Sequence, residues 1–263
     1  MENIKLFDAH SHVNDARFDA DRNEILTKMK TEGCWSIVVG TDREMSEKAV
    51  SLAQENEHIY AAIGLHPTDD VGETFSFETY DHLAGKPKVV AIGECGIDFS
   101  RVPAEKLAEE KKRQTELFEQ QMAIAVSHNL PLMIHCRDAH PEVLDIFTSK
   151  KKEYGDKLCG NIHFFSEGPE TAKKYFDLGF TISFTGVLTF ARNYDEVVRY
   201  APLNFILSET DAPYVAPVPY RGKRNEPLYV EEVVKAIAQI RNEEYEKVRE
   251  AVVANALRVF GIR

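Results

Sequence analysis

The sequence is poor in cysteine: it has four among 263 residues, and no two of them form a Cys-x-x-Cys pair. This scarcity argues against a disulfide framework or a dithiol redox motif, and it favours reduced, buried thiols in a reducing compartment. The sequence also lacks any apolar run that approaches the roughly 20 residues of a membrane span. Its first residues, MENIKLFDAHSH, have neither the basic start nor the apolar stretch of a signal peptide. We therefore expect a cytoplasmic protein that does not bind membranes.

Positive charge is also in deficit: the sequence has 32 Lys and Arg residues but 43 Asp and Glu residues, which gives a formal net charge of -11. Such a balance argues against broad electrostatic binding to nucleic acid, which needs a basic face. It does not exclude an enzyme that acts on phosphates, since bound metal ions can reverse the local charge. With 43% hydrophobic residues, the chain is typical of a globular protein that buries a large core.

What the sequence does contain is a repeated order of short apolar runs and longer amphipathic segments. The eight apolar runs are continuous rather than alternating, which is typical of parallel strands buried on both faces. They span residues 4–10, 34–40, 59–66, 89–96, 130–136, 158–165, 180–186 and 203–211. Their number and the chain length favour an α/β fold, a single-domain (β/α)8 TIM barrel over residues 1–263, against the alternative of a doubly wound open sheet.

Helical periodicity fills the segments between these runs. The pattern is clearest at 104–129, and it predicts two extra C-terminal helices within 228–260. The other predicted helices span 19–32, 43–56, 138–153, 168–178 and 192–200. The proline-rich segment 212–227 follows the last strand and is interpreted as a loop over the site rather than a domain boundary.

Ionisable side chains are concentrated where the apolar runs end. Six of them are His10, His12, Glu94, His135, His163 and Asp211. In a (β/α)8 barrel the carboxyl ends of the strands form one rim where catalytic groups collect, so these residues can meet although they are far apart in the sequence. His10 and His12 are two positions apart and point to the same side of a strand. Because a buried ionisable group is costly unless it is paired or metal-bound, the set predicts a metal site.

Four imidazoles and two carboxylates are more than one tetrahedral ion needs, and they fit two divalent metal ions, Mg, Mn or Zn. Glu94 is predicted to bridge the two ions. We expect the first ion to be completed by His10, His12 and Asp211, and the second ion by His135 and His163. Such ions acidify a water for attack on an electrophile, and Asp211 would orient that water or accept its proton.

Several short motifs resemble the TatD family of metal-dependent deoxyribonucleases, within the larger group of metal-dependent TIM-barrel hydrolases. They occur in the family's order: DAHSH (8–12), GLHP (64–67), GECGIDF (93–99), HCRD (135–138), HFFS (163–166), ETDAPY (209–214) and RGKRNEP (221–227). The resemblance implies a (β/α)8 barrel with a two-metal site at the six residues above. It also implies hydrolysis of phosphodiester bonds in DNA, single-stranded or at 3′ ends, often as a 3′→5′ exonuclease.

The resemblance assigns roles to further residues. His66 matches a family histidine near the substrate phosphate, and it is an expected catalytic residue together with Glu94 and Asp211. Glu209 matches the first acid of the family's E-T-D motif and is expected to hold a ligand histidine. Four basic residues are candidates for binding phosphate in this otherwise acidic chain: Arg137, Arg221, Lys223 and Arg224.

The sequence departs from the family pattern directly after His163. The family commonly has Cys-Phe-Ser-Gly there, whereas this chain has Phe-Phe-Ser-Glu, ending at Glu167. A negative charge that faced the cleft would repel a DNA backbone, so Glu167 bears on substrate preference. Asp98, in the GIDF motif, is interpreted as a structural residue rather than a ligand.

Two other functions are compatible with these residues. Amidases, lactonases and other small-molecule hydrolases use the same barrel, but many of them bridge their metals with a modified lysine, and the fourth run offers Glu94 and no lysine near its end. A non-catalytic metal-binding protein is the second alternative, although all six predicted ligands are present. The oligomeric state is left open, with a monomer as the simplest expectation.

Overall fold

A computed structural model describes residues 4–68 and 73–263. Eight strands form one sheet in sequential order, and each strand pairs in parallel with the next. The strands are β1 (Leu6–Ser11), β2 (Cys34–Val39), β3 (Ile59–Ile63), β4 (Val89–Asp98), β5 (Leu132–Arg137), β6 (Gly160–Ile162), β7 (Thr181–Phe184) and β8 (Ile206–Ser208). This order confirms the predicted barrel, because a doubly wound sheet reverses its strand order at a switch point.

The barrel is nearly closed, and β1 and β8 meet through contacts just beyond the end of β8. The backbone N–H of Asp211 donates to the carbonyl oxygen of His10 at 2.9 Å, and that of His12 donates to the carbonyl oxygen of Ala212 at 2.7 Å. Ser11 and Ala212 form an isolated parallel bridge. This seam joins the two segments that carry the first and the last of the predicted ligands.

Helices follow the strands and cover the outside of the barrel. They are α1 (Arg22–Glu32), α2 (Arg43–Glu55), α3 (Phe77–Ala84), α4 (Leu107–His128), α5 (His140–Tyr154), α6 (Pro169–Asp177), α7 (Asp195–Tyr200), α8 (Val230–Arg241) and α9 (Tyr245–Val259). Periodicity predicts all of them except α3. That helix has 8 residues, of which Tyr80, Leu83 and Ala84 are buried, so its apolar pattern repeats too few times to be recognised.

Two clusters of buried apolar side chains make up the core. The larger cluster joins strands to the surrounding helices. The smaller contains alternate strand residues, such as Phe7 and Ala9 of β1, together with Val253, Ala256 and Phe260 near the end of the chain. Because alternate residues of a strand face the same side, this cluster fills the barrel interior. The last of the predicted C-terminal helices, α9, therefore contributes to the barrel core.

Several strands end earlier than the apolar runs that predicted them. β3 ends at Ile63, β6 at Ile162 and β8 at Ser208. The polar residues expected at these strand ends lie in the loops directly beyond them: His66, His163, Glu209 and Asp211. A loop position lets these side chains turn over the barrel mouth instead of following the pleat of a strand.

The remaining expectations from composition can be compared with the described residues. Cys34, Cys95 and Cys136 are buried, Cys159 is half-buried, and all four are free. Across residues 4–68 and 73–263, none of the helices has both the length and the apolar character needed to cross a membrane.

Candidate metal centre

Glu94 is the residue around which the predicted ligands meet. One of its carboxylate oxygens, Oε2, lies 3.4 Å from His10 Nε2 and 3.6 Å from His12 Nε2. The other oxygen, Oε1, lies 2.7 Å from His135 Nδ1 and 3.5 Å from His163 Nε2. The two oxygens of one buried carboxylate thus face two different groups of imidazoles.

The backbone of β4 is irregular around Glu94. Its pairing with β5 shifts register between Ile92 and Cys95, which is typical of a bulge that re-aims a side chain. Gly96 has φ 143°, and a Cβ there would lie 1.9 Å from the carbonyl oxygen of His135. Only glycine allows this backbone conformation and this close approach. The two strands therefore come close enough for Glu94 to reach His135.

The seam between β1 and β8 places the other ligands. Asp211 Oδ1 lies 3.5 Å from His12 Nε2 and 3.9 Å from His10 Nε2. The fully buried carboxylate of Asp8 accepts hydrogen bonds from Thr210 N at 2.8 Å and from Thr210 Oγ1 at 2.6 Å. Asp8 therefore ties the residue before Asp211 to β1, which carries His10 and leads directly into His12.

Hydrogen bonds on the far side of the rings determine which imidazole nitrogen faces the site. His12 Nδ1 lies 3.0 Å from the carbonyl oxygen of Val39, which can only accept, so Nδ1 carries a proton. His163 Nδ1 lies 2.9 Å from Glu209 Oε1, and it donates in the same way. In the neutral rings the lone pair is then on Nε2, which points toward the carboxylates as metal ligation requires.

Glu209 is fully buried and accepts hydrogen bonds from three donors. Besides the contact with His163, its Oε1 accepts from the backbone N–H of Phe164 at 2.7 Å. Its Oε2 accepts from Ser183 Oγ at 2.7 Å. The structure thus places this carboxylate directly behind a predicted ligand histidine.

His135 has a carboxylate on each side of its ring. Its Nδ1 faces Glu94, and its Nε2 lies 3.0 Å from Asp98 Oδ2. Asp98, interpreted as structural from the sequence, is buried and also lines the cavity at the site. The sequence carried a signal for this contact, because Asp98 lies four positions after Glu94 and alternate residues of a strand share a face.

The electrostatics of the site favour an ionised Glu94 and protonated His135 and His163. Burial by itself would raise the pKa of Glu94, but the charges of the surrounding imidazoles hold it well below its usual range. Burial would lower the pKa of His135, yet its hydrogen bonds to Asp98 and Glu94 raise it to about 9. Burial would also lower the pKa of His163, but the charge of Glu209 raises it to about 10. A divalent cation would replace such protons, since ligation requires neutral imidazoles.

The donor atoms fit divalent cations. They form three groups within which the atoms lie no more than 4.8 Å apart: His10 with His12 and Glu94, His10 with His163 and Asp211, and His66 with Glu94 and His135. Imidazole nitrogen and carboxylate oxygen are the ligand types of zinc and manganese sites. His163 also stacks on His10, with ring centroids 3.7 Å apart. The prediction from the sequence instead assigned His163 to the same ion as His135.

Comparison with known proteins identifies the family. A family model described as TatD related DNase matches residues 7–261. The chain belongs to the TatD family.

Relatives within the TatD family cover nearly the whole chain. The metal-dependent hydrolase YabD of Bacillus subtilis is 38% identical and covers 98% of this chain and 99% of its own length. A protein of Cronobacter sakazakii named 3′-5′ ssDNA/RNA exonuclease TatD is 33% identical, with 97% of each chain covered. The crystal structure of the TatD homologue YjjV from Escherichia coli superposes with a TM-score of 0.88 at 26% identity, covering 99% of each chain. The protein is therefore a metal-dependent hydrolase of this family.

The centre of this TatD-family hydrolase borders a cavity of about 510 Å³. Arg137, at the end of β5, lines the cavity, and so does Arg101 in the loop after β4. Sequence reasoning missed Arg101, because it lies in no recognised motif and only its position just after the GIDF segment pointed to the site. Tyr214 is 46% exposed, and its ring meets that of His12 edge-on with centroids 6.3 Å apart.

The other basic residues selected from the sequence lie elsewhere. Arg224 forms a two-pronged ion pair with Asp21, at 2.8 and 2.6 Å. Arg221 stacks on the ring of Phe190, 3.8 Å from its centroid, and Lys223 is exposed. None of these three residues is among those that line the described cavity. In the folded chain the loop 212–227 places Arg221 and Arg224 against other side chains and leaves Lys223 exposed. The binding of phosphate by these three residues stays a prediction.

Glu167, the departure from the family pattern, is exposed and is not among the residues that line the same described cavity. Its neighbour Ser166 does line it. The negative charge of Glu167 is therefore beside the cavity rather than on its lining.

Proposed function

We propose that this TatD-family hydrolase cleaves phosphodiester bonds in single-stranded DNA, from the 3′ end, with two divalent cations at its centre. The observation that carries the proposal is the position of Glu94, whose two oxygens face different imidazoles. Pairs of metal ions are typical of nucleases and phosphatases. The proposed ligands are His10, His12, Glu94, His135, His163 and Asp211.

Bound cations would supply an acidified water and would neutralise charge on the phosphate. The residues of the chain would position the reactants. Burial would raise the pKa of Asp211, but its hydrogen bond to His12 lowers it, so the carboxylate is ionised at neutral pH. Asp211 Oδ1 is therefore a hydrogen-bond acceptor that can orient the attacking water and take a proton from it.

The cavity offers separate contacts for a phosphate and for a base. The guanidinium groups of Arg101 and Arg137 suit phosphate oxygens. The exposed ring of Tyr214 is suited to stacking on an unpaired base. Because the net charge is -11, these local contacts rather than long-range attraction would hold the strand. The relatives named as 3′-5′ ssDNA/RNA exonucleases support this class of substrate.

The test begins with protein stripped of metal by a chelator and dialysed. Bound ions are counted after titration with Mg, Mn or Zn, and a single-stranded oligonucleotide labelled at its 5′ end is then added. We expect a ladder of products shortened from the 3′ end, and no products in the chelator. A substrate blocked at its 3′ end should resist cleavage. The cleavage rate of an RNA of the same sequence measures the preference of the enzyme for deoxyribose over ribose.

The same assay distinguishes the alternative functions. Turnover of amides or lactones without cleavage of oligonucleotides would show a small-molecule hydrolase. His135→Ala should lose metal and activity, while His128→Ala, which changes a histidine paired with Asp81 outside the centre, should keep both. Two ions and full activity in His135→Ala would show that the proposed site is wrong.

A further inference from the structure

Three polar side chains on β6 and β7 face the interior of the barrel. Asn161 and Ser183 are fully buried, and Thr181 is 2% exposed. Ile162 and Ile182 belong to the cluster that joins the strands to the helices, so their neighbours along each strand point to the opposite side. Polar groups in such an interior are costly unless they are hydrogen-bonded. None of the three is among the described residues that line the cavity, and the metal centre gives them no role as ligands.

Hydrogen bonds join the three side chains into a chain that ends at Glu209. Ser183 Oγ lies 2.7 Å from Glu209 Oε2 and 2.7 Å from Asn161 Nδ2. The carboxylate oxygen can only accept the one hydroxyl proton of Ser183, so the serine oxygen accepts from the amide of Asn161. The amide oxygen of Asn161 in turn accepts from Thr181 Oγ1 at 3.0 Å. Every donor in this chain therefore points toward Glu209.

At Glu209 the chain meets a proposed metal ligand. Both donors on the metal side, His163 Nδ1 and the backbone N–H of Phe164, bond to the same oxygen, Oε1. Ser183 is the donor that the described part of the chain offers to the other oxygen, Oε2. A carboxylate bonded through one oxygen can still rotate about its last side-chain bond. Donors at both oxygens fix its plane, and the plane fixes the direction of the imidazole that donates to it.

We propose that Ser183 is a positioning residue: it fixes the carboxylate of Glu209, which aims Nε2 of His163 at the metal centre. Asn161 holds the serine hydroxyl in the donating direction. His163 Nε2 lies 3.5 Å from Glu94 Oε1, so the direction of the ring decides whether this nitrogen faces the site. This role of Ser183 rests on the proposed function, in which His163 is a ligand. It explains why an otherwise apolar barrel interior contains a polar chain behind the metal centre.

The first test is Ser183→Ala, which removes a single buried oxygen atom. We expect the affinity for Zn, measured by calorimetry of the metal-stripped protein, to fall about three- to tenfold, less than for a change in the residue that contacts the ligand directly. With saturating metal, kcat/KM should return to within about twofold of wild type, because the substitution acts on metal binding. The matched control is Ser46→Ala, an equally buried serine that bonds to the backbone of Gly64 at 3.2 and 3.3 Å. It should bind Zn as the wild type does, and wild-type affinity in Ser183→Ala would overturn the proposal.

The second test separates positioning from barrel stability. Ser183→Ala leaves the amide of Asn161 without its acceptor, which destabilises the fold, and Asn161→Leu in the same chain removes that amide. Thr181 keeps an acceptor in the double variant, the carbonyl oxygen of Gly160 at 3.2 Å. In denaturant unfolding we therefore expect the double variant to be more stable than Ser183→Ala. Its Zn affinity should stay within about twofold of that of Ser183→Ala, because Oε2 of Glu209 still lacks its donor. Recovery of the affinity together with the stability would overturn the proposal.

His163→Ala distinguishes a failure of this proposal from a failure of the site. Retention of both ions in His163→Ala would show that His163 is not a ligand and would overturn both. Loss of an ion in His163→Ala, with wild-type affinity in Ser183→Ala, would leave the site in place and overturn the role of Ser183 alone. A wild-type protein that binds Zn but cleaves no oligonucleotide would refute the proposed reaction, and the Zn affinities would still decide the role of Ser183.

Discussion

Replacing Glu209 with glutamine should weaken metal binding while leaving the fold intact. The glutamine carbonyl oxygen can lie where Oε1 lies and accept from His163 Nδ1 and Phe164 N, which are 2.9 and 2.7 Å away in the wild type. Its amide group then faces Ser183 Oγ, which lies 2.7 Å from Oε2, and can donate to it. The substitution therefore removes a buried negative charge and keeps the hydrogen bonds.

The expected magnitude follows from this environment. Changing a group that orients a metal ligand typically costs about 10- to 100-fold in metal affinity, or about 1.4–2.8 kcal/mol. Glu209 is fully buried, so solvent does not screen its charge. Alanine would instead leave two buried donors without an acceptor, His163 Nδ1–H and the N–H of Phe164, at about 1–3 kcal/mol each. Glu209→Ala should therefore also lose about 2–6 kcal/mol of folding stability.

Isothermal titration calorimetry of the metal-stripped proteins measures the affinity, and denaturant unfolding of the same samples measures the stability. Glu167→Gln is the matched control, since it makes the same change at an exposed residue of the loop after β6. The control should bind metal as the wild type does. If Glu209→Gln also bound both ions with wild-type affinity, the reasoning that Glu209 holds His163 in its ligand orientation would be refuted.

Three further predictions concern the backbone, acid stability and proton release. Gly96→Ala should not form the native barrel, because its Cβ would lie 1.9 Å from the carbonyl oxygen of His135; a native circular dichroism spectrum with bound metal would contradict this. Burial lowers the pKa of His140 to about 4. The unfolded chain therefore binds the extra proton first, and the wild type should lose about 3 kcal/mol more stability than His140→Gln as the pH falls from about 6.5 to about 4. If the free energy of unfolding fell equally with pH in the two proteins, this effect would be excluded. Finally, the pKa values of about 9 for His135 and about 10 for His163 mean that metal binding near neutral pH should release about two protons, measured by calorimetry in buffers of different ionisation enthalpy. Binding heats that do not depend on the buffer would count against those values.

The sequence by itself was sufficient for the architecture and for the choice of most site residues. Runs of apolar residues and helical periodicity are local signals, and within residues 4–68 and 73–263 they identified every strand and every α-helix but α3. Since strand ends of a barrel share one rim, the chemistry-bearing residues at those ends could be grouped without knowing any distance. The folded chain brings four of the proposed ligand histidines to Glu94 and places Asp211 beside two of them.

Only the tertiary structure decided how those residues are arranged. The division of the imidazoles between the two oxygens of Glu94 depends on the irregular backbone of β4 and on the seam between β1 and β8. The proton positions of His12 and His163 depend on Val39 and Glu209, which lie 27 and 46 positions away along the chain.

The same holds for the cationic side chains. Arg224 lies in the RGKRNEP motif and Arg101 lies in no recognised motif, yet Arg101 lines the cavity and Arg224 pairs with Asp21. Residue type and local periodicity determine which groups reach the rim of the barrel. Their bonding partners are set by contacts between segments that are distant in sequence, and no local pattern encodes those contacts.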